Sequence, residues 1–294
     1  MTFEEYASPR IALVEQGLDR ALPPETLRPE QLHRAMRYSA LAPGKRIRPL
    51  LCIAAAEACG GSADRVLPTA CALECIHAFS LIHDDLPALD DDTLRRGRPT
   101  CHVAFGEATA ILAGDALFAL AFQLIAENRA CASDEAVGRV LALVAEASGT
   151  AGMVGGQVVD LEAEKREADP ETVEYIYERK TGALILASVV SGGVLVGGDA
   201  DTLCRLADYG SLLGRAFQAA DDVLNVIGDE ATIGKPVGSD AARHKATYVA
   251  LFGVEGAMER SRALAHEAIA KLAPLGPKAD PLRMLAEYVV ERTS

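Results

Sequence analysis

Apolar residues recur at helical spacing along almost the whole chain: Ile11, Leu13, Val14 and Leu18; then Leu50, Leu51, Ile53 and Ala54; then Val66, Leu67, Ala70, Leu73 and Ile76. No convincing stretch alternates with the two-residue period of a half-buried strand, so these apolar stripes must be buried helix against helix. The expected fold is all-α, a bundle. Helix punctuation falls at Pro23-Pro24, Pro43-Gly44, Cys59 to Ser62, the Pro87 and Pro99 region, Asp169-Pro170, Gly197-Gly198, Gly234 to Pro236 and Pro274 to Pro281. That leaves roughly ten helices, long by globular standards. None of the breaks reads as a flexible linker, because each is short and the composition does not shift across it. Residues 1–294 are therefore read as a single domain.

With 50% apolar residues in 294, the chain can bury a substantial core, which excludes disorder. Lys plus Arg number 29 against 42 Asp plus Glu, a net charge of −13 that repels a polyanion, so nucleic acid is not expected as a partner. The seven cysteines are scattered, odd in number and without a tight CxxC pair, which fits buried thiols in a reducing cytoplasm better than disulfides or zinc. The opening MTFEEYASPR lacks the basic-then-apolar order of a secretory signal and reads as mature protein. Thr181 to Gly198 is the one membrane candidate, 18 residues without a charge, but its five glycines favour a buried helix. No membrane span is expected.

Two acidic pairs, Asp84-Asp85 and Asp221-Asp222, each end a strongly apolar segment and lie 137 residues apart. This suits two helices facing one cavity. Residues 84–92 read DDLPALDDD, and Asp221 and Asn225, at i and i+4, share a helical face. Carboxylates about 6 Å apart repel by roughly 3 kcal/mol at an effective dielectric of 20, and by under about 1 kcal/mol in water. A solvated helix end needs no cation; an apolar surrounding does, and hard oxygen donors of this kind suit Mg²⁺ completed by water and substrate phosphate.

Basic residues sit where a phosphorylated ligand would need them. Gly44-Lys45-Arg46-Ile47-Arg48-Pro49 leads into an apolar helix with Pro49 expected at its first position, setting Lys45 and Arg48 beside free amides. Arg95-Arg96 follows the first acidic run, either to grip a diphosphate or to neutralise charge locally. Lys180-Thr181 opens the uncharged segment, and Lys235 and Lys245 follow the second acidic pair; taken singly, each lysine reads equally as surface. His77 lies two turns before Asp84 on the same face, as a ligand contact or a core histidine.

Together, LIHDDLPALDDDTLRRGRPT and FQAADDVLNVIGD resemble the first and second aspartate-rich motifs of the trans-isoprenyl diphosphate synthases, most closely the bacterial farnesyl diphosphate synthases. GKRIRP, the KTG at Lys180 to Gly182 and GGQVVDLEAE from Gly155 match as well, and the resemblance covers nearly the whole chain. It implies a helical bundle around a deep cavity, a homodimer, and three Mg²⁺ ions, with Mn²⁺ as a substitute, bridging the motifs to an allylic diphosphate. By motif position Asp84, Asp85, Asp90 and Asp221 would hold metal, with Asp222 and Asn225 as weaker partners. Arg95, Lys180, Thr181, Gln218, Lys235 and Lys245 would hold the allylic diphosphate, dimethylallyl or geranyl. Gly44, Lys45, Arg48, His77 and Arg96 would hold isopentenyl diphosphate. The chain departs from the family at Asn225, where an aspartate is usual, at Val249 in HKATYV, where a proline is frequent, and in a C-terminus less basic than is common.

The implied chemistry is ionisation of an allylic C–O bond, attack by the isopentenyl double bond and loss of a proton, with Asp84, Asp85, Asp90, Arg95, Lys180, Thr181, Gln218 and Asp221 as its catalytic set. Product size would follow how far the allylic tail reaches down the helix ending at Asp84. Phe79 lies five residues earlier, about 7.5 Å deeper, with small Ser80 one turn below Asp84. A ring there acts as a floor or packs in the core; as a floor it implies a fifteen-carbon product, farnesyl diphosphate. The alternatives are a geranylgeranyl diphosphate synthase, a non-catalytic subunit of a heteromeric synthase, and a terpene cyclase, which has no need of Lys45, Arg48 and Arg96.

Overall fold

The computed structural model describes residues 2–164, 169–227 and 245–291. Its first helices are α1 (Phe3–Ala21), α2 (Glu30–Ala40), α3 (Ile47–Ala58) and α4 (Ala63–Asp84). A hairpin of two short strands, β1 (Leu94–Arg95) and β2 (Arg98–Pro99), interrupts the helices before α5 (Cys101–Phe105), α6 (Glu107–Glu127), α7 (Asp134–Ser148), α8 (Met153–Ala163) and α9 (Pro170–Ile176). A π-helical turn, Tyr177–Gly182, leads into α10 (Ala183–Leu195), followed by the long α11 (Ala200–Ile227), α12 (Tyr248–Lys271) and α13 (Asp280–Glu291). The all-α expectation holds.

Local chemistry explains several starts. Thr2 and Glu5 form a reciprocal capping box on α1, Ser133 accepts from the Ala136 amide at α7, and Asp169 caps α9 with Pro170 at its first position. α3 starts one residue after Arg46, so Pro49 is its third residue rather than its first. It still falls in the first turn, where amides have no intrahelical partner and a missing N–H costs nothing.

α3, α4 and α10 are buried nearly all round, which accounts for their weak amphipathicity in sequence. One core cluster gathers α4, α6, α7 and α10; a second joins α3, α10, α11 and α13; a third joins α8, α9, α11 and α12. Within Thr181 to Gly198 the helix runs from the π-helical turn through α10 to Leu195, and α10 is buried along most of its length, as the sequence reading expects. Three other stretches, Ala63–Asp84, Glu107–Ala130 and Asp134–Ala163, are long and apolar enough by length and composition to cross a membrane.

α4 carries Pro68 in its interior, where the ring removes one amide and crowds the preceding turn. The buried Asn128 side chain bridges that turn: its oxygen accepts from the Thr69 amide (3.1 Å) and hydroxyl (2.6 Å), and its nitrogen donates to the Arg65 carbonyl (2.6 Å). Asn128→Ala would strand these buried groups at roughly 1–3 kcal/mol each. Chemical denaturation should show a loss of about 2–5 kcal/mol, and a loss under about 0.5 kcal/mol would remove Asn128 as the brace of α4.

Candidate active site

The first aspartate motif lies where α4 stops. Asp85 is the C-cap, and the loop turns back so that the Asp90 amide donates to the Asp84 carbonyl at 2.8 Å. Burial pushes the Asp84 carboxyl up from the ordinary aspartate range; Lys180, Arg95 and Lys245 oppose the rise, and Asp90 adds to it. The Asp85 carboxylate is buried and takes both ends of the Arg95 fork, with Nε at 2.8 and 2.9 Å from its two oxygens. Burial alone would lower the Arg95 guanidinium, but its bonds to and charge attraction for Asp85 outweigh that and hold it above the ordinary arginine range.

The hairpin separates two arginines that are adjacent in sequence. Its turn is Arg96-Gly97, both at positive φ (53° and 73°), as two-residue hairpin loops require. Arg95 faces Asp85, whereas Arg96 reaches over the loop before α3 and donates to the Pro43 carbonyl. A Cβ on Gly44 would come within 2.5 Å of the Arg96 guanidinium, so that close approach requires glycine.

The second wall is built by α11 with the π-helical turn. Lys180 donates to Asp160 of α8 at 2.6 Å, and Lys245 lies 3.3 Å from Asp90 and 3.9 Å from Asp160. Burial opposes the charge on Lys180, yet Asp160 and Asp84 more than restore it and its pKa is raised. The neighbouring Thr181 hydroxyl donates to Gln218 (2.6 Å), whose nitrogen donates to Asp222 (3.0 Å); Asp222 also accepts the Tyr248 amide at 3.2 Å. α11 comes this close because Gly214 meets Gly182 backbone to backbone, leaving 2.5 Å where a Cβ would stand. A chain of short polar contacts thus runs from Asp90 through Lys245, Asp160 and Lys180, then from Thr181 to Asp222. Both aspartate motifs border one site.

The third group is cationic. The side chain of Arg48, at the second position of α3, has its Nε buried without a hydrogen-bond partner among the described residues. Its charge is opposed by burial and by Arg96, and supported by Glu74 and by Asp221 from the second motif. His77 is held well below the ordinary histidine range by burial first, then by Arg48, Arg96, Arg95 and Arg46, and is neutral at pH 7. The unpartnered Arg48 Nε and the His77 imidazole are the kinds of donor an anion needs.

The sequence matches the polyprenyl synthetase family over residues 29–274. The chain belongs to that family. It is 42% identical to farnesyl diphosphate synthase of Escherichia coli, covering 99% of both chains, and 43% identical to a geranylgeranyl diphosphate synthase of Cyanophora paradoxa, covering 98% of this chain and 96% of that one. Its structure resembles a geranyltransferase from Helicobacter pylori solved with magnesium and isoprenyl diphosphate, with TM-score 0.84, 31% identity and coverage of 98% and 97%. The chain is a trans-prenyltransferase with the all-α fold of the isoprenyl diphosphate synthases.

Within this synthase scaffold, Asp84, Asp85, Asp90, Arg95, Lys180, Thr181, Gln218, Asp222 and Lys245 are joined by the contacts above, and Asp221 acts on Arg48 across the site. Asn225 is half-buried one turn beyond Asp221. Lys235 lies outside the described residues. Phe79 packs on α6, 4.9 Å from Phe118 and 4.7 Å from the His83 ring, while the Ser80 hydroxyl donates to the His77 carbonyl. Asp160, Arg46 and Glu74 were not singled out from the sequence. Asp160 lay inside the GGQVVDLEAE stretch, so the motif flagged its neighbourhood; Glu74 carried a signal only as a charge inside an apolar helix.

Proposed function

We propose that this enzyme joins isopentenyl diphosphate head-to-tail to dimethylallyl and then geranyl diphosphate, releasing farnesyl diphosphate. The observation that carries this reading is the aspartate motif at the end of α4 with His77 two turns earlier on the same helix and Arg48, whose charge acts on His77, at the start of α3. One half offers carboxylates for a metal-bound diphosphate and the other gathers the arginines Arg46, Arg48 and Arg96, with Arg48 and Arg96 to meet a second diphosphate bound without metal.

The donor set fits magnesium. Asp84, Asp85, Asp90 and Asp221 supply hard oxygens, and Asp222 and Asn225 flank them on α11. Magnesium is ordinarily held by one or two carboxylates and completed by water and substrate oxygens, so these side chains need not enclose it alone. When bound, magnesium supplies Lewis-acid neutralisation of the departing diphosphate; up to three ions are part of this proposal.

The protein's own part is electrostatic. Lys180, Arg95 and Lys245, now paired with aspartates, turn to the allylic diphosphate and stabilise the charge that grows as its C–O bond breaks. The Thr181 hydrogen is committed to Gln218, which keeps the hydroxyl's lone pairs for the allylic cation. Arg48, Arg96 and Lys45 orient isopentenyl diphosphate for attack, and the released diphosphate takes the proton. Apolar walls keep water from the cation.

Phe79 stands below the aspartates and backs onto Phe118, which supports a floor at fifteen carbons. The chain is further read as a cytoplasmic homodimer without a membrane span: its seven thiols are free, and α6 exposes Ile111 (43%) and Leu112 (58%) as an apolar face for a second copy.

Purified protein given isopentenyl and dimethylallyl diphosphates with Mg²⁺ should release the fifteen-carbon diphosphate, and EDTA should abolish turnover. Failure to consume isopentenyl diphosphate would reject the reading in favour of a cyclase. Phe79→Ala should lengthen the product by one or more five-carbon units in chromatographic sizing; an unchanged fifteen-carbon product would remove Phe79 as the floor. Light scattering without detergent should give twice the chain mass, and a monomer would refute the pairing through α6.

A further inference from the structure

Arg46 sits between the two cations of the GKRIRP loop yet is only 3% exposed, and its backbone is left-handed (φ 50°, ψ 38°). That conformation is uncommon for a residue with a Cβ and persists only where its surroundings impose it. Here the guanidinium is held by two partners. Its Nη1 donates to Glu74 at 2.7 Å and its Nη2 to the Ala42 carbonyl at 2.8 Å, stapling the loop to α4 and to its own start. Glu74 is also 3% exposed and lies one turn before His77 on α4. Its negative charge acts on Arg48 and Arg96 as well, so one buried carboxylate stands among three arginines.

We propose that Glu74 and Arg46 are a positioning pair for the isopentenyl diphosphate half of the site, fixing the left-handed turn that presents Lys45 and Arg48 to that diphosphate. The inference rests on the reading above that Arg48, Arg96 and His77 face isopentenyl diphosphate. Neither member of the pair touches the substrate.

A mere counter-ion has the opposite signature. A carboxylate near an anion site weakens anion binding, so removing a counter-ion tightens it; removing a positioning group loosens it. The sign of the change in KM therefore separates the two roles.

Three variants serve. Glu74→Gln keeps an oxygen that can accept from Arg46, Glu74→Leu removes it, and Glu74→Leu combined with Arg46→Met replaces the buried pair with apolar side chains, an exchange proteins often tolerate without loss of stability. With folding checked by circular dichroism and thermal melting, KM for isopentenyl diphosphate should rise about tenfold or more in both Leu-bearing proteins and less than about threefold in Glu74→Gln. KM for the allylic substrate and kcat should stay within about twofold of the parent. Where the single Leu variant does not fold, the double variant carries the readout. An unchanged or lowered KM for isopentenyl diphosphate, an equal loss for both substrates, or failure of both Leu-bearing proteins to fold overturns the proposal. If the parent enzyme itself does not consume isopentenyl diphosphate, the reading beneath it fails instead.

Discussion

Charge taken into a protein interior must meet opposite charge or hydrogen-bond donors there, because leaving water costs several kcal/mol per ion even after relaxation. α4 makes that demand acute. It is buried along most of its length, carries Glu74 in the middle and ends in Asp84 and Asp85, so the elements around it have to bring cations to meet it. Arg46 comes from the loop before α3, Arg95 from the hairpin, Lys180 from the π-helical turn, and Lys245 from the approach to α12. The site is in this sense the solution to the burial of one helix, and the same contacts that satisfy α4 put substrate-sized charges where a diphosphate would lie.

The π-helical turn is part of that solution. Inserting one residue per turn into a helix is rare and concentrates at functional positions. Here it leads directly from α9 into α10, presents Lys180 toward Asp160 and Thr181 toward Gln218, and leaves both side chains partly or wholly buried. Gly182 and Gly214 allow α11 to press against it closely enough for Gln218 to be reached.

Most of the architecture was legible because its signal is local. Helical spacing of Leu, Ile, Val and Ala gave the all-α class, and proline and glycine gave the breaks. The aspartate runs and GKRIRP mark the segments that the structure brings near one another at the end of α4, the start of α3 and α11. What the sequence withheld depends on pairings that local spacing does not encode: Arg46 with Glu74 across 28 positions, Lys180 with Asp160 across 20, and Lys245 with Asp90 across 155. Arg95 and Arg96 illustrate the limit. Side by side in the chain, they diverge because a tight turn with positive φ lies at Arg96-Gly97, a backbone state that composition does not announce. The uncharged run after Lys180 reads as a buried helix, and most of it is one, α10, while longer apolar stretches elsewhere contain a few charges.

The contrast in how the two halves balance their charge affects how each first meets a ligand. On the aspartate side Lys180, Lys245 and Arg95 each have a carboxylate partner, but these three cations face six aspartates, Asp84, Asp85, Asp90, Asp160, Asp221 and Asp222, so carboxylates are in excess there. Around Arg48 the buried Glu74 faces the guanidiniums of Arg46, Arg48 and Arg96, with Asp221 acting on Arg48 and the more exposed Glu15 3.8 Å from Arg46, so positive charge gathers there within a chain whose total charge is −13. Long-range attraction of anions therefore acts mainly on the arginine half and fades as ionic strength shortens the screening length. The aspartate half, with carboxylates in excess, attracts cations over the same range instead.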